Sequence, residues 1–317
     1  MSTSVRPIGA FTKQPTDSVP RAAIVNKARG GAWTSWIFVL PALAAYATFV
    51  LWPIFETVKY SFYNWDGVAT AQWVGLDNYK TVFSNSQLLT VIAHSFELIL
   101  FFTVMPISLG LGVATVMRRF VTGKISIVAR TILFLPQVVP LVAAGIAWSW
   151  MLSSTGAVDQ VLKYIGLGRL AQAWLGGFNT ALPSVGVIGA WVLLGLCIVL
   201  LLTGMSKIDP LLYEAAQLDG ASPVREFVSI TLPQLRQEIG VCVTVTVIAA
   251  LSAFDIVYIS TQGGPGNATM VPGLEIYELA FYNRQVGLAS ALAVVLMLLV
   301  LACITPVQWF TRRGSGR

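Results

Sequence analysis

Six apolar runs, each long enough to cross a lipid bilayer, divide this chain at 36–56, 90–117, 131–152, 184–205, 239–260 and 288–310. A spanning helix needs about 20 mostly apolar residues at about 1.5 Å rise each. Hydrocarbon offers no water to backbone N–H and C=O groups, so only helices or closed barrels can cross it. Barrel strands alternate apolar and polar residues, whereas these runs are continuous. The chain therefore reads as an all-α polytopic membrane protein with six transmembrane helices. Composition agrees: 56% of residues are hydrophobic and 11% charged, against roughly 25% charged in soluble domains.

The formal charge of +6 does not form a nucleic-acid-binding patch, because the cations flank the apolar runs. Arg6, Lys13, Arg21, Lys27 and Arg29 precede the first run, and Arg118, Arg119, Lys124 and Arg130 separate the second and third. Lys207, Arg225 and Arg236 lie between the fourth and fifth, and Arg312, Arg313 and Arg317 follow the sixth. The opposite side carries only Lys59, Lys80, Lys163, Arg169 and Arg284. The positive-inside rule then places both termini in the cytoplasm of a multi-pass cell (inner) membrane protein. Residues 1–35 read as a largely disordered cytoplasmic tail, 36–310 as the transmembrane domain and 311–317 as a short cytoplasmic tail. The first run exceeds the 7–15 residues or so of a cleaved signal core and reads as an uncleaved anchor. Trp33, Trp36, Trp52, Trp65, Trp73 and Trp309 lie near run ends, where aromatic belts form. Cys197, Cys242 and Cys303 fall inside apolar runs and read as packing residues without a disulfide.

The longest internal cytoplasmic loop, 206–238, is punctuated by helix signals. Asp209 is a good N-cap, Pro210 suits the first helical position, and Gly220 can take the left-handed conformation that ends a helix. Ser222 and Pro223 repeat the start signal, so a second helix is expected from Pro223 to about Ile230, broken at Pro233 before the fifth span. The first short helix carries Ala215 and Ala216, which permit close approach, beside the carboxylates of Glu214 and Asp219. It suits a peg for a groove on a partner protein; an ordinary interfacial linker remains an equal alternative on these grounds.

The residues themselves carry a resemblance. Glu214-Ala215-Ala216, Asp219-Gly220-Ala221, then Ile230, Leu232 and Pro233 resemble the EAA loop of binding-protein-dependent ABC importer permeases. The resemblance implies the type I importer fold, with Pro210–Asp219 as the coupling helix seated in a cleft of an ATPase. It also implies the partners: two ATP-binding subunits that use ATP and Mg, a second homologous permease, an external solute-binding protein and the lipid bilayer, with no nucleic acid. Tyr60–Trp65, Trp73–Tyr79, Leu133–Pro136, Phe254-Asp255, Thr261–Gly266 and Gly287–Ala291 resemble the carbohydrate-uptake branch. Importers of glycerol-phosphate-type or other polyol solutes share that pattern. In this family Gly263, Gly264 and Pro265 would lie in the loop that faces the binding protein. The same glycines have no following Lys and do not make a phosphate loop.

Ionisable residues inside spans are expensive and tend to face cavities, which singles out Glu97 and Asp255. On one continuous helix Thr244 and Asp255 share a face, flanked by Ser252 and Tyr258, a polar stripe suited to sugar hydroxyls. Packing against another span would use such a stripe equally well. Phe254, Trp148 and Trp191 could stack on a sugar ring. The single histidine, His94, reads as a structural hydrogen-bonder, and Pro106, Pro136 and Pro140 as kink sites. An ion-gradient-driven secondary transporter using Glu97 and Asp255 is the competing class. No catalytic, metal-binding or cofactor-binding residue set is expected.

Overall fold

The computed structural model describes residues 32–120 and 123–313. The expected disordered tail, with its five cations, lies almost wholly outside the described residues, as do residues 314–317. The chain divides into two units, one ending at Ile54 and one starting at Phe55. The first contains a helix over Ala32–Tyr46, a π turn over Ala47–Leu51 and the start of the helix Trp52–Tyr60. From Phe38 onward its apolar side chains point outward, with Phe38 82% and Phe49 78% exposed. Lipid tails, not water, are the solvent such a surface fits.

The second unit is helical apart from a small antiparallel ribbon, β1 (Tyr63–Asn64) and β2 (Gln72–Trp73), paired Tyr63 to Trp73. The helix α1 (Asp77–Ser84) leads into α2 (Ser86–Phe120), the second span. Next come α3 (Gly123–Val138), α4 (Leu141–Met151), the short α5 (Ala157–Tyr164) and α6 (Ala181–Met205). Two helices between the fourth and fifth spans, α7 (Pro210–Leu218) and α8 (Pro223–Gln234), precede α9 (Arg236–Leu251). Then α10 (Asp255–Ser260), α11 (Pro272–Tyr277) and α12 (Val286–Arg313) complete the chain.

The second, fourth and sixth spans hold nearly their expected limits. The third does not, because α3 and α4 meet at 95°. Pro140 forces the preceding Val139 out of helical geometry and itself opens α4. Pro136 is carried inside α3 without a break. The fifth span also ends early: α9 stops at Leu251, and Ser252 to Phe254 leave helical geometry before α10 starts. The hydroxyl of Ser252 donates to the carbonyl of Ile248, a back-bond that bends helices. The continuous helix expected over residues 244–258 is therefore interrupted at Ser252–Phe254. Residues 272–282, expected as outer loop, are helical and contain Leu274 and Leu279, 1% and 5% exposed.

Three π turns, Ala47–Leu51, Leu100–Val104 and Phe227–Thr231, each end two residues before a proline: Pro53, Pro106 and Pro233. Each proline lacks an N–H, and its ring crowds the carbonyl four residues back. A widened preceding turn accommodates both problems without ending the helix. Pro233 thus does not break its helix; the 70° bend between α8 and α9 comes at Leu235.

At the centre, α6 packs against α2 and α3. Lipid gives no apolar drive for helix association, so close packing and small residues must supply it. A Cβ on Gly189 would lie 2.1 Å from the Phe102 ring, and one on Gly195 would lie 2.4 Å from the Leu133 carbonyl oxygen. Buried Thr246 donates to Thr103 at 3.0 Å, joining α9 to α2. Cys197 and Cys242 are buried packing residues of the core around Ile198 and Leu201, and all three thiols are free.

Candidate functional site

The loop between α6 and α9 folds as its capping residues dictate. The Asp209 carboxylate accepts from the Leu211 amide at 3.0 Å, and Pro210 takes the first position of α7. At the other end Gly220 adopts φ +74°. The Ala221 amide donates to Ala216 at 2.9 Å and the Gly220 amide to Gln217 at 3.0 Å, a Schellman closure. Ser222 then caps α8 through the Arg225 amide at 3.3 Å.

Glu214, Ala215, Asp219 and Gly220 are exposed, while Ala216 and Ala221 are half-buried. The exposed face also carries Leu211, Leu212 and Leu218, the last 89% exposed. On the opposite side Tyr213 faces the protein. Its hydroxyl hydrogen-bonds Thr231 at 2.8 Å, and the Arg118 guanidinium lies 3.7 Å from its ring centre. A cleft of ≈ 190 Å³ runs beside this contact, bordered by Arg119, Gln217 and Glu226. Below it, Lys207 pairs with Glu238 at 3.0 Å, joining the end of α6 to the start of α9. The result is a short helix with apolar and acidic groups outward and its root held to α2 and α8.

The proposed polar stripe is dispersed. Asp255 and Ser252 are exposed at the α9–α10 break, and Glu97 is exposed on α2. Among the described residues no hydrogen bond or ion pair joins Glu97 to Asp255. Thr244 lies on α9, donates to the Gly240 carbonyl at 2.8 Å and borders a cleft with Gln308 and Thr311. Tyr258 is half-buried and stacks on Phe254 with centroids 5.3 Å apart and planes at 11°. Tyr277 meets both rings edge-on at 5.5 and 5.7 Å, and Phe281 and Tyr282 extend the cluster. Trp148 instead pairs with Trp191 at 5.5 Å.

Residues 107–313 match the family described as the binding-protein-dependent transport system inner membrane component. The chain belongs to this family. The probable ABC transporter permease YurN of Bacillus subtilis is 34% identical over 88% of this chain and 96% of its own length. The diacetylchitobiose uptake system permease NgcF of Streptomyces coelicolor is 32% identical over 86% and 82%. A chain of the bacterial alginate ABC transporter, crystallised with its alginate pentasaccharide-bound periplasmic protein, shares the fold. Its TM-score is 0.74 at 24% identity, covering 89% of this chain and 94% of that one. The molecule is thus a multi-pass inner-membrane importer permease of the type I fold. Its importer works with a solute-binding protein, and its ATPase is a separate subunit.

In this permease the segment after α10 is built around Thr269. Its amide donates to Gly263 at 3.1 Å and its hydroxyl to Gly264 at 2.8 Å, while Thr261 is 2.7 Å away. Gly263 is buried, Gly264 and Pro265 are half-buried, and Gly266 and Asn267 form the exposed tip. His94 Nδ1 meets the Met270 carbonyl at 2.8 Å, a structural hydrogen bond as expected of it. Sequence reasoning overlooked Tyr277, Phe281 and Tyr282, although their one-turn spacing after Pro272 carried the signal. The Arg118–Tyr213 contact, 95 positions apart, left no local trace.

Proposed function

We infer that this permease moves a sugar or oligosaccharide inward by alternating access, with both termini in the cytoplasm. It pairs with a second, homologous permease and two ATP-binding subunits. Glu214, Ala215, Ala216, Asp219, Gly220, Ala221 and Pro233 form the coupling element. ATP binding closes the ATPases, α7 moves with them, and the Tyr213 contacts transmit the motion to α2. The single observation that carries this reading is the exposed, doubly capped helix α7 rooted at Arg118. The diacetylchitobiose permease among its relatives supports a carbohydrate cargo.

Along the path, Asp255 and Ser252 would hydrogen-bond sugar hydroxyls beside the Phe254, Tyr258 and Tyr277 rings, whose faces suit pyranose C–H groups. Glu97 and Thr244 serve the path from α2 and α9. Gly263, Gly264 and Pro265 shape the tip that meets the binding protein. Purification from native membranes, with reconstitution of the captured complex and a sugar panel, tests the reading. ATP-dependent uptake of one sugar class supports it. Gradient-driven uptake by the permease alone overturns it.

A further inference from the structure

The short helix α5, six residues after the membrane-embedded α4 ends, is built inside out for a helix facing water. Its only acid, Asp159, is 1% exposed and accepts from the Trp174 indole N–H at 2.7 Å. Its outward side carries Val161 at 58% and Tyr164 at 93% exposure. The chain continues through Ile165 and Leu167 into the turn Gly168–Leu170, with Ile165 58% and Leu170 54% exposed. Lys163 and Arg169 lie exposed among these residues. The segment therefore withdraws its carboxylate and presents tyrosine, aliphatic groups and two cations.

We propose that residues 160–170 form a seat for anionic phospholipid at the membrane interface. Three features favour lipid as the occupant. The segment follows a spanning helix by six residues, which holds it near the bilayer surface. Tyrosine and aliphatic side chains partition to the headgroup and acyl boundary. Two cations with no exposed acid on the helix complement a negative headgroup layer. Asp159 acts as a positioning residue: it holds Trp174 and takes the one negative charge off the lipid-facing side. The surface is independent of which solute the importer carries.

The test uses the assembled importer in nanodiscs of phosphatidylcholine alone or mixed with phosphatidylglycerol. A nitroxide is placed at Tyr164→Cys, with Cys303→Ser, and its access to oxygen and to a water-soluble nickel chelate is measured. A label at Thr70→Cys, exposed between β1 and β2 and ten residues from the nearest span, is the water-facing reference. The proposal predicts several-fold lower nickel access at 164 than at 70, with more protection in phosphatidylglycerol. The combined K163E and R169E substitutions should abolish that extra protection and leave ATP hydrolysis intact. Val161→Cys serves as a second site where Tyr164→Cys fails to assemble. Nickel access equal to that of the reference in both lipids would overturn the proposal. So would protection that arises only on adding the solute-binding protein, which would make this a protein-docking face. Assembly with the ATPase is scored separately, so failure of the importer reading stays distinguishable.

Discussion

The guanidinium of Arg118, in the last turn of α2, lies 3.7 Å from the ring centre of Tyr213 on α7. A cationic side chain of the second span therefore touches the helix that carries Glu214-Ala215-Ala216. Such a contact contributes roughly 0.5 kcal/mol when exposed and ~2 kcal/mol when desolvated. Arg118→Ala should lower solute-dependent stimulation of ATP hydrolysis more than it lowers ATPase binding. Tyr213→Phe keeps the ring and loses only the bond to Thr231, worth ~0.5–1.5 kcal/mol, so it should be milder. Stimulated and basal ATPase rates on reconstituted complexes decide between them.

Gly220 sits at φ +74° with open space around its Cα. A side chain there meets no neighbour, so the penalty is purely conformational, ~1–2 kcal/mol for a non-glycine residue in the left-handed region. Gly220→Val should weaken assembly with the ATPase by roughly 5–30-fold, and Gly220→Asn by less, as Asn tolerates this region. Affinity measured with purified ATPase checks the order.

Two substitutions at the α6–α9 contact should differ sharply. The Lys207 side chain is 69% exposed, so Glu238→Gln should change stability by only ~0–1 kcal/mol. A Cβ on Gly204 would lie 2.6 Å from the Glu238 Cγ, so Gly204→Ala should destabilise by ~1–3 kcal/mol through overpacking. Thermal unfolding in detergent measures both.

The aromatic cluster gives a prediction about cargo. Tyr277→Ala removes the ring that contacts both Phe254 and Tyr258. It should lower uptake and raise the apparent KM for sugar while leaving basal ATP hydrolysis unchanged. Tyr277→Phe should retain most uptake.

Asp66 supplies a pH-dependent signature outside the spans. The Val68 amide, then the Ala69 amide, donate to its carboxylate and hold its pKa below the usual value. A depressed folded pKa means the contribution is present above the ordinary carboxylate range near 3.9 and disappears as pH falls through the lowered value. Amide exchange over residues 66–69, taken as the ratio to an Asp66→Asn variant, should show protection lost on acidification.

The sequence disclosed what local chemistry determines. The caps at Asp209, Gly220 and Ser222 lie within a few residues of the amides they bind, so the two short helices of the loop 206–238 were readable, but not the continuation of the second through Pro233. Hydropathy located the spans, because it reports solvent preference along the chain. It is blind to direction: Pro140 marked the bend at Val139, but the one at Ser252 carried no such sign, and it interrupts the helix between Thr244 and Tyr258. Tyr277 and Arg118 gained their roles from partners distant in sequence. The proline-linked π turns lie between these cases: the prolines are visible, but whether a helix breaks or widens depends on what packs around it.

The most direct test of the coupling role of α7 is a disulfide cross-link between Leu218→Cys and a cysteine in the ATPase groove, with uptake followed in reconstituted vesicles. Leu218 is 89% exposed, so the replacement should leave the fold intact. Rapid cross-linking that stops ATP-driven uptake, restored on reduction, is the expected result. Absence of any cross-link to the ATPase, together with uptake driven by an ion gradient in its absence, would contradict the account.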